Sequence, residues 1–313
     1  MIPKWKKEQK EKKFKKQKKS VLRFFGLFCF VLILASTFRF FSGFKNSKVF
    51  GLSRVNFLVN DWDKVGIISV IGNNKLIFLD LPGEKKINLT RGFGKYPISS
   101  IFTLGEIEKM GGELLKESIQ EFFGISISGL LIFKDKFPKN RSELERILLE
   151  AGFGKVKTDF SKYDLFALWW RVKRVPEFES ARINLNDLDC FEPDGEFSLK
   201  KIDLIVRKYF QDEKVVNEDL AVAVFNSTDF SGLGNQGERV LSNLGGRVVN
   251  VSNSETKEVS LIKSTKKIAN SYTLKILQRI FGFMWKEAEV EAGRADIGIY
   301  LGKDYWKKLN EKW

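Results

Sequence analysis

The N-terminus of this chain is the feature that most limits how it can fold. Ten lysines lie between residues 4 and 19, and an apolar stretch rich in phenylalanine follows over 21–41. As a helix, that stretch would be about 31 Å long, which is enough to cross the hydrocarbon core of a bilayer. Arg23 and Arg39 lie near its two ends, where long side chains can reach the interface. The pattern predicts a transmembrane anchor.

Three other interpretations of this segment are less favoured. A buried core helix would have to be rich in phenylalanine on every face and directly follow a run of lysines. A cleaved signal peptide would need a small-residue cleavage site and a shorter basic region. Binding of DNA or RNA by the tail is disfavoured because residues 1–20 contain no arginine and few aromatic residues. No nucleic acid partner is therefore expected.

The positive charge is concentrated at the same end of the chain. The net charge is +15, and residues 1–48 carry +12 of it, so the remaining body is almost neutral. The positive-inside rule then predicts that 1–20 is a basic cytoplasmic tail lying on anionic inner-leaflet lipids. It also predicts a signal-anchor in the cell membrane, with a single pass, a cytoplasmic N-terminus and the domains beyond about residue 45 extracytoplasmic.

The residue types present exclude several kinds of chemistry. The chain has no histidine, which rules out a Ser-His-Asp or Cys-His system and any histidine-ligated zinc. Its two cysteines, Cys29 and Cys190, are too few for a cysteine zinc site or a disulfide framework. Any reaction would have to use carboxylates, lysine, arginine, tyrosine or a hard metal held by oxygen.

The body alternates short β-rich runs with amphipathic segments, which predicts an α/β (α+β) fold. We expect two extracytoplasmic α/β domains after the anchor, over 50–185 and 218–306, joined by a linker over 186–217 that contains one helix. The predicted elements of the first domain are strands at 53–60, 65–71, 75–81 and 125–133, and helices at 104–123 and 143–149. The predicted elements of the second are strands at 220–225, 247–251, 259–263 and 297–301, with helices starting near Leu233 and Leu274.

The C-terminal part carries a spaced set of motifs. They are Val222–Thr228 (VAVFNST), Gly232-Leu233, Gly245–Val249 (GGRVV) and Ala295–Gly302 (ADIGIYLG). This set resembles the LytR C-terminal domain, which runs from a strand through Asn-Gly-Thr and a Gly-Leu helix to a closing Leu-Gly strand. Ser227 stands where that family has glycine. The resemblance covers about 218–306 and implies a small α/β sandwich.

The first part resembles the LytR-CpsA-Psr (LCP) family in a more divergent way. The similar segments are Asp61–Ser69 (DWDKVGIIS), Leu81–Glu84 (LPGE), Gly92–Lys95 (GFGK), Gly105–Glu108 (GEIE) and Ala167–Arg174 (ALWWRVKR). The resemblance covers about 53–175 and implies a sheet-and-helix layer fold. It also implies a role in cell wall biogenesis, in which a phosphorylated glycopolymer is transferred from a polyprenyl carrier.

The resemblance assigns candidate roles to six residues. Asp63 and Glu84 are the candidate catalytic carboxylates and the candidate ligands for Mg²⁺. The candidates for binding the phosphates of the lipid carrier are Arg91, Lys95, Arg171 and Arg174. Each also has a structural interpretation, as a solvated loop residue or as part of a packed segment. Mg²⁺ is implied only under the transferase interpretation, and the sequence indicates no further cofactor.

Two departures argue against transferase activity. Gly83 stands where the family has a motif arginine, and Val175–Ser180 (VPEFES) replaces a later basic stretch. Loss of one oriented donor costs about 100-fold or more in rate. The sequence therefore favours an envelope protein that binds or organises a glycopolymer or its polyprenyl carrier without catalysis. An active phosphotransferase and a protein-interaction scaffold are the alternatives.

Overall fold

The computed structural model of the chain describes residues 47–134, 137–291 and 293–311. Residues from Lys48 onward belong to one compact unit. The strands are β1 (Arg54–Asp61), β2 (Lys64–Ile71), β3 (Lys75–Leu81), β4 (Lys86–Leu89), β5 (Gly94–Pro97), β6 (Leu130–Ile132), β7 (Lys157–Thr158), β8 (Ser180–Asn184), β9 (Ala221–Asn226), β10 (Arg247–Asn253), β11 (Leu261–Ser264), β12 (Met284–Glu287) and β13 (Ile297–Leu301). The helices are α1 (Ile101–Ile107), α2 (Glu113–Phe123), α3 (Arg141–Gly152), α4 (Lys162–Arg174), α5 (Leu199–Phe210), α6 (Glu213–Glu218), α7 (Leu233–Leu244), α8 (Tyr272–Phe281) and α9 (Lys303–Asn310).

A six-stranded mixed sheet forms the first half, in the order β7-β6-β1-β2-β3-β8. The antiparallel meander β1-β2-β3 is its centre, while β6 and β8 join it in parallel. Nearly every residue of β1 is buried, because helices cover both faces of the sheet. Val55, Phe57 and Val59 face a core shared with α3 and α4. Leu58 faces the opposite core, which is shared with α1, α2 and α5.

A second sheet forms the other half, in the order β10-β9-β13-β11-β12. Strands β10, β9 and β13 are parallel, and β11 runs antiparallel to β13. The helices α7 and α8 bury their apolar faces in a core with Val222, Val224 and Ile299. On the opposite face, Phe225 stacks on Tyr300 with ring centroids 4.6 Å apart.

Side chains of α7 connect the two halves. Arg239 donates from Nη1 to the carbonyl oxygen of Glu121 and from Nη2 to that of Phe122. Asn243 donates from Nδ2 to the carbonyl oxygen of Phe123. These carbonyls belong to the last turn of α2, which has no intrahelical donors left for them. The end of one helix is therefore capped by another helix far along the chain.

The fold-class prediction needs correction in its membrane part. None of the helices in the described ranges is both long and apolar enough to cross a bilayer. The longest of them, α4, has 13 residues and spans about 20 Å, well short of the hydrocarbon thickness. The predicted tail 1–20 and anchor 21–41 lie outside the described residues. The described chain is a mixed α/β fold, and the domain limits 50–185, 186–217 and 218–306 stay predictions.

Most central elements occur where the sequence predicts them, and two differ. The predicted helix 104–123 is two helices, because Lys109 and Gly111 have positive φ angles of 60° and 56°. The predicted strand 125–133 shortens to β6. The residues before it make only isolated bonds to β1, such as that from the Leu58 amide to the Gly129 carbonyl at 2.9 Å.

Candidate functional site

Asp63 and Glu84 lie on two turns that meet at one end of the first sheet. Asp63 is in the β1–β2 turn and Glu84 follows β3, and both side chains are exposed. A Cβ placed on Gly83 would lie 3.0 Å from the carbonyl oxygen of Asp63 and 3.1 Å from the Cβ of Ser99. The two turns therefore touch through their backbones. Any side chain at position 83, including the family arginine, would have to displace one of these neighbours.

The carboxylates of Asp63 and Glu84 fit the predicted Mg²⁺ poorly. No third acidic or cysteine side chain joins them in a group that could hold a metal among the described residues. Neither carboxylate forms a hydrogen bond or salt bridge with another described residue. A magnesium ion held by two such groups would depend mainly on water for its octahedral shell. No catalytic step through a metal follows from this arrangement.

Arg91 is already neutralised by a carboxylate of α2. Its Nε and Nη2 donate to the two carboxylate oxygens of Glu117, at 2.8 and 3.0 Å. This fork-to-fork geometry is the strongest form of the ion pair, and it raises the pKa of Arg91. The backbone amide of Arg91 also donates to the carbonyl of Leu309. Arg91 thus links three parts of the fold rather than facing a ligand.

Lys95 also has an internal partner. Its Nζ lies 2.8 Å from a carboxylate oxygen of Glu196, and both side chains are about half exposed. An exposed pair of this kind exchanges readily with solvent ions and contributes little to stability. Lys95 lies on β5, opposite Asn88 on β4, in a small separate hairpin. The Gly-rich loop predicted to hold phosphate is therefore part of this hairpin, with its two cations paired.

Arg171 points into the protein. Its Nη2 lies 3.4 Å from the carbonyl oxygen of Val49, and its Nη1 is buried without a hydrogen-bond partner. Burial lowers the pKa of the guanidinium because the charged form loses its hydration. Arg171 therefore helps to hold the segment at residue 49 against α4 and is not displayed to a ligand.

Arg174 differs from the other candidate cations because it is exposed and has no carboxylate partner in the described part of the chain. Its guanidinium carbon lies 4.3 Å from the ring centre of Trp170, and neighbouring Lys173 places Nζ 4.8 Å from that of Trp169. Neither cation forms a salt bridge with any of the described residues. Cation–π contacts of this type hold a charge in place without neutralising it. Both charges therefore stay available to an anion.

The exposed face of α4 consists of aromatic and basic side chains alone. Phe166 is 63% exposed and its ring packs near both Trp169 and Trp170, at 5.7 and 6.4 Å. Tyr163 and Trp170 are also exposed, at helical spacing from Phe166. The one carboxylate of the helix, Asp164, is buried in the capping box at its start. Contiguous apolar patches on protein surfaces are often binding sites, so this cluster is a candidate one.

A groove adjoins the C-terminal end of this helix. Its volume is about 460 Å³, and it lies between the β2–β3 turn and the segment that follows α4. Its wall includes the cations Arg174 and Lys75, the carboxylates of Glu179 and Glu213, and the Phe178 ring, which is 85% exposed. The groove therefore combines two cations and two carboxylates with an aromatic ring, and one of the cations, Arg174, belongs to the end of α4.

The structure separates the six predicted residues instead of collecting them. Asp63 and Glu84 share one end of the sheet, and Arg91 and Lys95 are paired elsewhere. The sequence did not predict the groove, nor that Lys173 has no salt-bridge partner among the described residues. A helical wheel of 162–174 would have shown the aromatic and basic stripe, because its members recur every three to four residues.

Comparison with known proteins leaves the family undecided. No family model and no curated protein matches this chain. Similar solved structures include TagV of B. subtilis, with 11% identity, a TM-score of 0.35, and coverage of 49% of this chain and 93% of that one. A transcriptional regulator from Enterococcus faecalis has 11% identity and a TM-score of 0.35, with 62% and 88% of the two chains covered. TagU of B. subtilis has 10% identity and a TM-score of 0.23, with 72% and 94% covered.

Likeness of this degree does not assign a family or an activity. The resemblance to the LytR-CpsA-Psr family and to the LytR C-terminal domain therefore rests on the sequence motifs.

Proposed function

We propose that this protein binds a phosphate-bearing glycopolymer of the bacterial cell envelope, or its polyprenyl carrier, and does not catalyse its transfer. The proposed binding surface is the exposed face of α4 together with the adjoining groove. One observation carries the proposal: Lys173 lies over the half-buried ring of Trp169 and Arg174 over the exposed ring of Trp170, and neither has a carboxylate partner among the described residues.

The chemistry of this surface suits such a ligand. Arginine and lysine attract phosphate, and arginine can donate two parallel hydrogen bonds to it. The rings of Phe166 and Trp170 offer flat apolar area to the carbon face of a sugar or to a prenyl chain. The face of α4 itself has no exposed carboxylate to repel an anionic polymer, so we expect phosphate to contact Lys173 and Arg174 on the helix and to stay away from Glu179 and Glu213 in the groove.

The other candidate residues argue against transfer chemistry. Arg91 and Lys95 are paired with Glu117 and Glu196. Position 83 has no room for the family arginine without movement of its neighbours. Phosphoryl transfer depends on several cations and a metal converging on one diphosphate. The described residues offer no such convergence.

The test uses the purified full chain and two probes, a polyprenyl diphosphate and a poly(glycerol phosphate) chain. The variant is Lys173→Ala with Arg174→Ala, and the matched control is Lys266→Ala with Lys267→Ala, an adjacent exposed pair with the same charge loss. We expect the first pair to weaken binding of at least one probe about tenfold or more, because two charge-assisted contacts are lost. The control pair should bind as the parent does.

Two results would overturn the proposal. Equal weakening by both pairs would mean that net charge alone attracts the probe. Release of phosphate from polyprenyl diphosphate in the presence of Mg²⁺, abolished by Asp63→Ala, would mean that the transferase chemistry is present. Binding without such turnover supports the proposal.

A further inference from the structure

A second open crevice lies at one edge of the second sheet. Strands β9 and β10 are parallel, so their carboxyl ends reach the same edge, and the loop from β9 into α7 forms the outer wall. The crevice has a volume of about 620 Å³, which is the size of a small-ligand site. Crevices outside the carboxyl ends of parallel strands are common ligand sites in α/β folds. It shares no lining residue with the groove beside α4.

The wall of this crevice is held in one conformation. Asn226, at the end of β9, accepts hydrogen bonds from the amide and the hydroxyl of Thr228, at 3.1 and 2.7 Å. Its Nδ2 donates to the carbonyl oxygen of Phe230 at 2.8 Å. The Phe230 ring lies flat against Trp306, with centroids 3.7 Å apart, and 38% of the residue stays exposed. A ligand would therefore meet a preformed wall that contains one aromatic ring.

Part of the polar lining of the crevice is not used by the fold. Five exposed ones form no side-chain hydrogen bond or salt bridge with any other described residue, namely Asp229, Ser231, Asn235, Asn253 and Thr256. Hydroxyl and amide groups both donate and accept, and the carboxylate accepts. The lining contains no lysine and no arginine.

From this lining we propose that the crevice binds an uncharged carbohydrate unit. Sugar hydroxyls are both donors and acceptors, which matches the mixed hydroxyl, amide and carboxylate set. The exposed part of the Phe230 ring can pack against the carbon face of a sugar. A phosphate would meet Asp229 with no cation in the lining, and a lipid chain would desolvate five polar groups without replacing their hydrogen bonds. This inference does not rest on the proposed function, because it concerns another surface and a ligand without phosphate.

The experiment measures binding of three neutral disaccharides to the full chain by saturation-transfer NMR and titration calorimetry. The probes are N,N′-diacetylchitobiose, maltose and lactose. The test variant is Asp229→Ala with Asn235→Ala, and the control is Asn217→Ala, an exposed asparagine of α6 outside the crevice. We expect at least one disaccharide to bind, with the test variant about tenfold weaker or more and the control unchanged. Loss of two to three hydrogen bonds gives a change of this order.

Three results would overturn the inference. The first is absence of saturation transfer to every disaccharide. The second is equal affinity in the parent and the Asp229/Asn235 variant, checked by thermal unfolding to show that the variant is folded. The third is competition by inorganic phosphate, which would make the crevice an anion site. The Lys173/Arg174 variant separates the two proposals, because it should keep disaccharide binding here even if polymer binding at α4 is lost.

Discussion

The hydroxyl of Tyr272 donates a hydrogen bond of 2.6 Å to the buried carboxylate of Asp212. Asp212 also accepts from the Ser53 hydroxyl at 2.6 Å and from the Lys214 amide at 3.0 Å. Ser53 directly precedes β1 in the first sheet, Asp212 caps α6, and Tyr272 begins α8 beside the second sheet. One carboxylate thus joins three segments that are distant in the sequence.

Removal of the Tyr272 hydroxyl should destabilise the fold. In Tyr272→Phe, Asp212 keeps its other two donors but the amide of Ser53 loses its bond to the Tyr272 hydroxyl, so we expect a loss of about 1–2 kcal/mol in the free energy of unfolding. Urea denaturation measures it. The control is Tyr96→Phe, whose hydroxyl is on an exposed hairpin residue, and it should unfold like the parent. An unchanged Tyr272→Phe protein would show that the hydrogen bond makes no net contribution.

The same pair predicts a dependence of stability on alkaline pH. Burial and the hydrogen bond to Asp212 raise the pKa of Tyr272 from 10 to about 12. The folded protein therefore holds the phenolic proton more tightly than the unfolded chain does. The stabilisation that comes from the protonated Tyr272 hydroxyl is complete below pH 10 and is lost as the pH rises from 10 to about 12. With allowance for partial exposure, this loss lowers the free energy of unfolding by about 1 kcal/mol.

The measurement compares the parent and Tyr272→Phe from pH 8 to 12. The difference in unfolding free energy between them should shrink over the upper two pH units, while the titration of other groups cancels. A constant difference across that range would contradict the raised pKa.

Arg91 and Lys95 should respond differently to truncation. Arg91→Ala leaves Glu117, whose side chain is 12% exposed, without its bidentate partner. We therefore expect the free energy of unfolding to fall by about 2–3 kcal/mol. Lys95→Ala breaks an exposed pair and should cost less than about 1 kcal/mol. Neither change should affect polymer binding. If the folded Arg91→Ala protein lost polymer binding, Arg91 would be part of the ligand site and this prediction would be wrong.

Substitution of alanine at two glycines should change the stability of the protein in opposite directions. At Gly83 the new Cβ would crowd the Asp63 carbonyl and Ser99, so we expect destabilisation by about 1 kcal/mol or more. At Gly152, in the last turn of α3, nothing lies within 4 Å of the new Cβ. Alanine there should stabilise by about 0.5–1 kcal/mol through helix propensity. Thermal unfolding measures the stability of both variants. If Gly83→Ala were as stable as the parent, crowding at position 83 would not explain why the arginine is missing there.

Local elements of the fold were predictable because their signals are short-range. Continuous apolar runs predicted β1 to β3, and the αL glycine Gly245 marks the predicted end of α7. The short parallel strand β8 was missed because its sequence, Ser180–Asn184, has little apolar character and gains its place from β3. The split between α1 and α2 has one sequence signal that the helix prediction passed over, the pair Gly111-Gly112, and one feature without such a signal, the positive φ at Lys109.

By itself, the sequence determined the residue chemistry and the local elements. It excluded histidine chemistry, placed the cations and carboxylates along the chain, and set the strands and helices by periodicity. Only the tertiary structure decided which charges are available. Arg91 pairs with a carboxylate 26 residues away and Lys95 with one 101 residues away, whereas Arg174 lies over the ring of Trp170 and has no carboxylate partner within the described ranges. Charge pairing depends on distance in space, and chain folding sets that distance independently of separation in sequence.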